Sequence, residues 1–273
     1  MRRLFLIPLS LFTACGNKQS YKFTGSDSMK SGRPVQAKVV LNTPVVDTVL
    51  QFFPDDSTYA AQILYTGTFH NNEVKPQYGL HTWMGIFHNN KVYCLKETRL
   101  KLARVADDEL DERDAKTGWQ ISTVDKDSSV LLISNLPSLK NHPIEKIELN
   151  KNEFLPGDSA TYSQNGIKYT IYATGQKKPD YPGSKSYSLF NYRLALKATV
   201  KGIEYNELLF ATNTSEFGCS IILASDIDND GIPDLVINTS TESAIYTISL
   251  YMSSLAKKGH LLKIAGMNTT VGC

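Results

Sequence analysis

Short apolar runs, each bounded by polar or turn-forming residues, make up most of the chain after residue 35. Residues 35–41 (VQAKVVL) and 167–172 (IKYTIY) are rich in β-branched and aromatic side chains and lack helical spacing. The pattern predicts an all-β fold, either a β-sandwich or two packed antiparallel β modules. Further strands are predicted at residues 61–69, 92–95, 100–102, 119–123, 130–134 and 144–149.

Three asparagine-containing pairs are expected to form hairpin turns. Asn165-Gly166 separates two strand-like segments, and this pair favours a type I′ turn because both central residues need positive φ. Asn71-Asn72 and Asn89-Asn90 each follow a Phe-His pair, and asparagine tolerates positive φ. We therefore predict a hairpin at each of the three pairs.

The first fifteen residues have the organisation of an export signal. Arg2 and Arg3 precede a mostly apolar stretch, residues 4–12, that is too short to span a bilayer. Small residues then precede Cys15, an arrangement that resembles the lipobox of bacterial lipoproteins. That resemblance implies removal of residues 1–14 and lipidation of Cys15; the alternative is an ordinary secretory signal in which the cysteine is incidental.

The remaining chain divides into three parts by composition. Residues 15–34 are rich in Lys, Ser and Gly and predict a flexible tether. Prolines and polar residues interrupt the strand pattern at 137–152, so we predict an N-terminal β region at 35–150 and a C-terminal β region at 151–273. Multiple acyl chains on Cys15 would anchor these regions stably to a membrane surface. In some bacterial lipoproteins an Asp directly after the lipidated cysteine is the inner-membrane retention signal, and no Asp follows Cys15. The resemblance therefore implies the outer membrane of the bacterial cell envelope and leaves its periplasmic and surface faces open.

Composition narrows the class of function. The 273 residues are 41% hydrophobic and 21% charged, which is enough apolar material for a full core. Loss of Arg2 and Arg3 with the signal leaves 27 basic and 27 acidic side chains. A nucleic-acid partner is not expected, because binding phosphates requires a basic excess.

One segment has the spacing of a metal-binding loop. Residues 226–234 (DIDNDGIPD) place carboxylates at positions 1, 3, 5 and 9, glycine at position 6 and a backbone carbonyl at position 7. Ca²⁺ takes six to eight oxygen ligands in flexible geometry, so this spacing predicts a calcium loop. The expected ligands are Asp226, Asp228, Asp230, the Ile232 carbonyl and Asp234.

The flanks of this loop distinguish it from an EF-hand. Position 12 is Ile237 rather than Glu, and the segments on both sides are strand-like. With these flanks the loop resembles the Asp-rich loops of FG-GAP and VCBS-type repeats. That resemblance implies a structural calcium ion held between strands near the C-terminus. Those families carry arrays of such loops, whereas this chain has a single copy.

The C-terminal region as a whole resembles a group of uncharacterised bacterial lipoproteins with one such loop. The shared segments are the hairpin at residues 169–175, the Asp loop, residues 250–254 (LYMSS) and the final Gly272-Cys273. This resemblance implies no particular activity.

Three cysteines remain after Cys15. Export would place them in an oxidising compartment. Cys219 directly precedes the Asp loop and Cys273 ends the chain, so a Cys219–Cys273 disulfide would fix the C-terminus beside the site. In that case Cys94 is a buried thiol; in the alternative, all three cysteines are free buried thiols.

The sequence carries no motif for a catalytic centre. It has no G-x-S-x-G, H-E-x-x-H, C-x-x-C, P-loop or G-x-G-x-x-G segment. We therefore expect a membrane-anchored calcium-binding β protein with a structural role or a protein or glycan ligand at the envelope, without catalytic activity. An envelope polysaccharide hydrolase is the alternative, because paired carboxylates leave no sequence signature.

Overall fold

The structure is a computed structural model that describes residues 52–54, 58–89, 92–107, 115–125 and 128–271. All of them belong to one compact unit, Asp47–Cys273. The predicted signal, Cys15, the tether and the predicted strand at 35–41 lie outside the described residues. Within the described part, no helix has the length and apolar character needed to cross a membrane.

Strands make up most of the described part, which also contains one short 3-10 helix, Pro76–Leu80, and no α-helix. The strands of the first half are β1 (Phe52–Phe53), β2 (Gln62–Leu64), β3 (Gly67–Phe69), β4 (Thr82–Asn89), β5 (Val92–Val105), β6 (Gly118–Thr123), β7 (Ser128–Ser134) and β8 (His142–Ile144). Those of the second half are β9 (Glu153–Phe154), β10 (Ser159–Gln164), β11 (Ile167–Pro179), β12 (Tyr187–Val200), β13 (Ile203–Ser215), β14 (Cys219–Ser225), β15 (Asp234–Asn238), β16 (Ile245–Met252) and β17 (Lys263–Val271). The predicted all-β class is confirmed.

Antiparallel pairing arranges the strands into three sheets. Sheet A has the order β1-β13-β12-β11-β10, and sheet B has the order β17-β16-β15-β14-β9. Sheet C is larger, with the order β2-β7-β4-β5-β6-β3 and β8 paired to β5. Most neighbours in a sheet are also neighbours along the chain, so hairpin connections account for most of the topology.

Sheet B is the central layer, because both of its faces are buried. One face contributes Ile221, Leu235 and Ile237 to an apolar cluster shared with sheet A. The other face contributes Leu223 and Val236 to a second cluster, shared with sheet C. Strand side chains alternate between faces, and the central strands carry almost continuous apolar runs for this reason. The second cluster contains residues from both sides of position 150, the boundary between the two predicted β regions. A third cluster, around Trp83, packs sheet C against the segment that contains the 3-10 helix.

Two of the three predicted hairpins are confirmed. Asn165 and Gly166 have φ values of 50° and 76° and join β10 to β11 as a two-residue turn. Asn89 pairs with Val92 in the β4–β5 hairpin. The prediction at Asn71-Asn72 is wrong: β3 pairs with β6, and the chain after β3 enters a turn and then the 3-10 helix.

Two strand predictions need correction. The predicted strand at 61–69 is divided into β2 and β3, which pair with different neighbours, β7 and β6. The predicted strand at 144–149 ends as β8 at Ile144. In the following segment the Ile147 N–H donates to the Ala224 carbonyl, a contact with sheet B that periodicity alone does not reveal.

Candidate metal centre

The Asp loop connects β14 to β15 at one end of the central sheet. Apolar side chains fix it on two sides: Ile227 is fully buried in the cluster between sheets B and C, and Ile232 packs against the cluster between sheets A and B. Asn229 and Gly231 adopt positive φ values of 61° and 91°. Glycine takes this conformation without steric cost, so Gly231 permits the sharp turn that the sequence predicts.

The Asp226 carboxylate organises the turn from inside. Its Oδ1 accepts the Asp230 N–H at 3.0 Å, and its Oδ2 accepts the Gly231 N–H at 2.8 Å. Because Asp226 accepts hydrogen bonds from backbone N–H groups four and five residues later, the backbone of the loop curves around its carboxylate. The other carboxylates are thereby directed toward a common volume.

Three of the predicted ligands converge. One carboxylate oxygen from each of Asp226, Asp228 and Asp234 lies within 4.8 Å of the others. Asp226 and Asp228 are half-buried and Asp234 is buried. Asp228 Oδ1 is buried and has no hydrogen-bond partner among the described residues. The cluster is therefore an all-oxygen group that could hold a metal ion.

Asp234 also holds the surrounding structure together. Its side chain is 0% exposed. Its Oδ2 accepts the Ile227 N–H at 2.8 Å, and its Oδ1 accepts the Ser253 N–H at 2.8 Å and the Ser253 hydroxyl at 3.1 Å. The carboxylate thus ties the two ends of the Asp loop to the segment that leaves β16.

The other two predicted ligands are placed differently. Asp230 is outside the converging triad: its Oδ1 accepts the Ile232 N–H at 2.8 Å and its Oδ2 accepts the Ser253 hydroxyl at 2.7 Å. Both contacts orient the loop around the triad. Coordination by Asp230 and by the Ile232 carbonyl stays a prediction.

Sequence reasoning did not assign the serines and the asparagine that surround the loop. Ser253 donates to Asp230 and Asp234, and the Ser254 hydroxyl donates to Asp228 Oδ2. Asn165, at the tip of the β10–β11 hairpin, donates from Nδ2 to the Gly231 carbonyl at 2.8 Å. The serines belong to residues 250–254, one of the segments shared with the single-loop lipoproteins. That resemblance was the sequence feature that could have pointed to them. Their distance of about twenty residues from the loop concealed the contact.

Burial and mutual repulsion dominate the electrostatics of the triad. Burial raises the pKa of Asp228, and the neighbouring charges of Asp230 and Asp226 raise it further, whereas the Ser254 hydroxyl lowers it. The pKa of Asp234 is raised well above its ordinary value, first by burial and then by Asp228, against the lowering effect of the Ser253 and Ile227 N–H groups. No basic side chain contributes to either shift. A cation would supply the compensating charge that these described residues lack.

Two stacked tyrosines lie beside the carboxylates. Tyr162 and Tyr169 face each other across β10 and β11 with ring centroids 5.1 Å apart. Burial is the main cause that raises both pKa values, followed by Tyr169 and Asp234 for Tyr162, and by Asp230 and Asp226 for Tyr169. The raised pKa values keep both phenols neutral at physiological pH, so they add no charge beside the carboxylates.

The cysteines are only partly described. Cys94 is half-buried and Cys219 is buried, and the described residues contain no disulfide. The Cys219 N–H donates to the Tyr192 hydroxyl at 3.0 Å, and burial raises the pKa of its thiol to about 12, opposed by a hydrogen bond with Tyr192. Cys273 lies outside the described residues, so the Cys219–Cys273 disulfide stays a prediction.

Comparison of this chain with known proteins identifies no related protein. No protein-family model, no curated protein and no solved structure matches this chain. The chemistry of the site therefore rests on its own geometry.

Proposed function

We propose that this chain is an exported, lipid-anchored calcium-binding protein of the bacterial cell envelope, in which one Ca²⁺ stabilises a β scaffold with a structural or binding role. The observation that carries the proposal is the convergence of Asp226, Asp228 and Asp234 within 4.8 Å, with Asp228 Oδ1 buried and unpaired. The resemblance to single-loop lipoproteins and to FG-GAP and VCBS-type loops supports the same proposal.

The donor set favours calcium over other metals. Its converging donor atoms are carboxylate oxygens, which suit hard cations, and no histidine or cysteine belongs to the cluster in the described residues. Magnesium requires near-ideal octahedral geometry, whereas calcium accepts irregular shells of six to eight oxygens. Asp226, Asp228 and Asp234 would hold the ion, and Asp230, the Ile232 carbonyl and water would complete the shell.

The proposed role of the ion is structural. Asp226, Asp230 and Asp234 already accept backbone N–H groups, and the loop joins two strands of the central sheet. An ion on the triad would neutralise repulsion between buried carboxylates and strengthen the connection to Ser253. Its main effect would be stabilisation of the fold.

Calcium is expected to raise the melting temperature of the chain. Extracellular calcium modules bind with Kd values of about 10⁻⁴–10⁻³ M, so 1 mM calcium at the tighter limit contributes about 1.4 kcal/mol. For a domain of this size that corresponds to about 3–6 °C. Differential scanning calorimetry in 1 mM calcium and in EGTA measures the shift.

The matched control is Asp228→Ala, which removes one triad ligand together with its hydrogen bonds from the exposed Ser254 hydroxyl and the Asp230 backbone N–H. This variant should melt at the same temperature in calcium and in EGTA. An unchanged melting temperature for the wild type would contradict the structural role of calcium, and an equal shift for the variant would contradict the position of that ion at the Asp triad.

The lipid anchor is proposed from the lipobox-like segment alone, since Cys15 lies outside the described residues. Expression of the full chain in a bacterium should yield a membrane-associated product whose N-terminus is an acylated Cys15. Mass spectrometry of the N-terminal peptide measures the acyl mass. Cys15→Ala should lack that mass and leave the membrane fraction; acyl-free wild type would favour the ordinary secretory signal.

No specific observation favours the polysaccharide hydrolase. Glu204 and Glu207 both line a cleft beside β13. They are three positions apart on β13, however, and side chains at such positions point to opposite faces of a strand. Glu207 is also engaged by the Leu261 N–H at 3.0 Å. These two residues therefore do not form the facing carboxylate pair that glycoside hydrolysis requires.

A further inference from the structure

A cleft of about 840 Å³ opens along β13, at the border of sheets A and B. One side is formed by six consecutive residues, Glu204 to Leu209, and the opposite side by residues between Lys257 and Ile264. Phe53 and Pro54 close one end, and Tyr251 forms part of the wall. The metal centre lies outside this set of lining residues.

The consecutive lining residues show which part of β13 faces the cleft. Successive side chains of a strand point to opposite faces of its sheet, so a cleft on one face is lined by every second residue. Six residues in a row line the same cleft only when it runs along the edge of the strand, where the backbone itself is accessible. The cleft therefore exposes the backbone edge of β13.

The hairpin register identifies the backbone groups on this edge. Lys201 and Gly202, with φ values of 51° and 79°, form a two-residue turn between β12 and β13, and Val200 pairs with Ile203. Such a turn is flanked by a hydrogen-bonded pair, after which bonded and non-bonded pairs alternate. Glu204, Asn206 and Leu208 therefore direct their N–H and C=O groups away from β12 and toward the cleft.

The same edge already accepts a strand at its far end. Phe52 and Phe53 of β1 pair antiparallel with Thr212 and Ala211. Among the described residues no strand pairs with this edge from Glu204 to Leu208, the stretch that lines the cleft. An added antiparallel strand would extend along β13 the kind of pairing that β1 makes at the far end of the same edge.

The opposite wall supplies apolar contacts and positive charge. Leu262 and Ile264 are buried apolar residues that line the cleft. Glu207 is occupied by the Leu261 N–H at 3.0 Å and by His260 Nδ1 at 3.1 Å, which fixes this wall against β13. Lys257 and Lys263 also line the cleft, and among its described lining residues Glu204 is the one carboxylate that Leu261 and His260 leave unengaged. The cleft thus favours an occupant with apolar and acidic side chains.

We propose that this cleft binds an extended peptide of another protein, which adds as an antiparallel strand to Glu204–Leu208 of β13 and places an acidic side chain near Lys257 and Lys263. Five residues of strand span about 14 Å, and backbone hydrogen bonds to alternate residues would provide most of the affinity. The proposal goes beyond the calcium scaffold and does not require an ion.

The probe is a random dodecapeptide library displayed on phage and selected against the full chain. An enriched peptide is then synthesised, and its Kd is measured with Asn206→Pro and Asn206→Ala. Proline removes the N–H that points into the cleft and no bond to β12, whereas alanine retains that N–H and loses only the bond from Tyr172 to the asparagine side chain. We expect Asn206→Pro to weaken binding at least tenfold and Asn206→Ala to change it less than twofold.

A second experiment leaves the protein unchanged. N-methylation of the peptide, one residue at a time, should weaken binding at least tenfold at every second residue, where the N–H faces β13. At the residues in between it should weaken binding less than twofold. Hydrogen exchange should show the amides of Glu204, Asn206 and Leu208 becoming at least tenfold more protected on binding, with Tyr205 and Glu207 protected throughout.

Several outcomes would overturn the peptide site. One is a failure of any peptide to enrich, and another is equal binding to both Asn206 variants. A uniform effect of N-methylation would indicate side-chain recognition only. Protection of the Glu204, Asn206 and Leu208 amides in the free chain would mean that another segment of this chain covers the edge. Binding of a saccharide in the cleft without amide protection would assign it to a different ligand class.

Discussion

Asp234→Ala is expected to lower the free energy of unfolding by about 3 kcal/mol even when no metal is present, because two buried backbone N–H groups lose their acceptor. These are the N–H groups of Ile227 and Ser253, both at 2.8 Å from the carboxylate. The Ser253 hydroxyl keeps Asp230 as an alternative acceptor at 2.7 Å. Urea denaturation in EDTA measures the loss.

Asp228→Ala is the control for this prediction. Asp228 accepts hydrogen bonds from the exposed Ser254 hydroxyl and from the Asp230 N–H, which Asp226 also accepts at 3.0 Å, and burial near other carboxylates raises its pKa. Its removal in EDTA should change the free energy of unfolding by less than about 1 kcal/mol, since a lost bond is offset by relief of repulsion. Equal losses for the two variants would contradict the separate roles assigned to these carboxylates.

Gly218→Ala should cost at least about 3 kcal/mol, because the added methyl group has no room. A Cβ at Gly218 would lie 2.1 Å from the Phe154 carbonyl oxygen and 2.8 Å from its carbon. These are backbone atoms of β9, which pairs with β14 at Phe154 and Cys219. The Tyr192 hydroxyl, which donates to the same Phe154 carbonyl at 2.8 Å, would also be displaced. Guanidinium denaturation of the purified chain measures the loss.

Gly79→Ala is the matched control for the steric effect. A Cβ at that position would meet the Leu102 side chain at 3.4 Å, an ordinary van der Waals contact, and its backbone does not require positive φ. This variant should stay within about 0.5 kcal/mol of the wild type, as surface substitutions usually do. A Gly218→Ala variant as stable as Gly79→Ala would show that β9 does not approach β14 as closely as described.

Local patterns in the sequence were sufficient for the strands and the tight turns. The β10–β11 hairpin follows from the alternation on either side of Asn165-Gly166, and β6 was predicted nearly to its ends. The failures involve pairing between distant segments. Phe69 pairs with Trp119, fifty residues later, so the Asn71-Asn72 turn leads to no adjacent strand. No local signal contains that information.

The sequence was sufficient to predict the metal ligands of the candidate site, and it was not sufficient to predict the residues that surround them. The spacing of Asp226, Asp228 and Asp234 indicates convergence because alternate positions of a wound loop face one centre. The same spacing does not reveal that Asp230 turns to Ser253 instead. Nor does it reveal the stacked tyrosines, which reach the loop from another sheet through tertiary packing. Residues that hydrogen-bond to metal ligands and orient them commonly come from distant segments of the chain, and Ser253 is an example.

Isothermal titration of calcium into the full chain, after removal of metal with EGTA, is the most direct test of the calcium centre. The wild type should bind one calcium ion per chain with a Kd on the order of 10⁻⁴ M, and Asp228→Ala should show no binding in the same range. Absence of binding to the wild type at millimolar calcium, or unchanged binding to folded Asp228→Ala, would contradict a calcium centre at Asp226, Asp228 and Asp234.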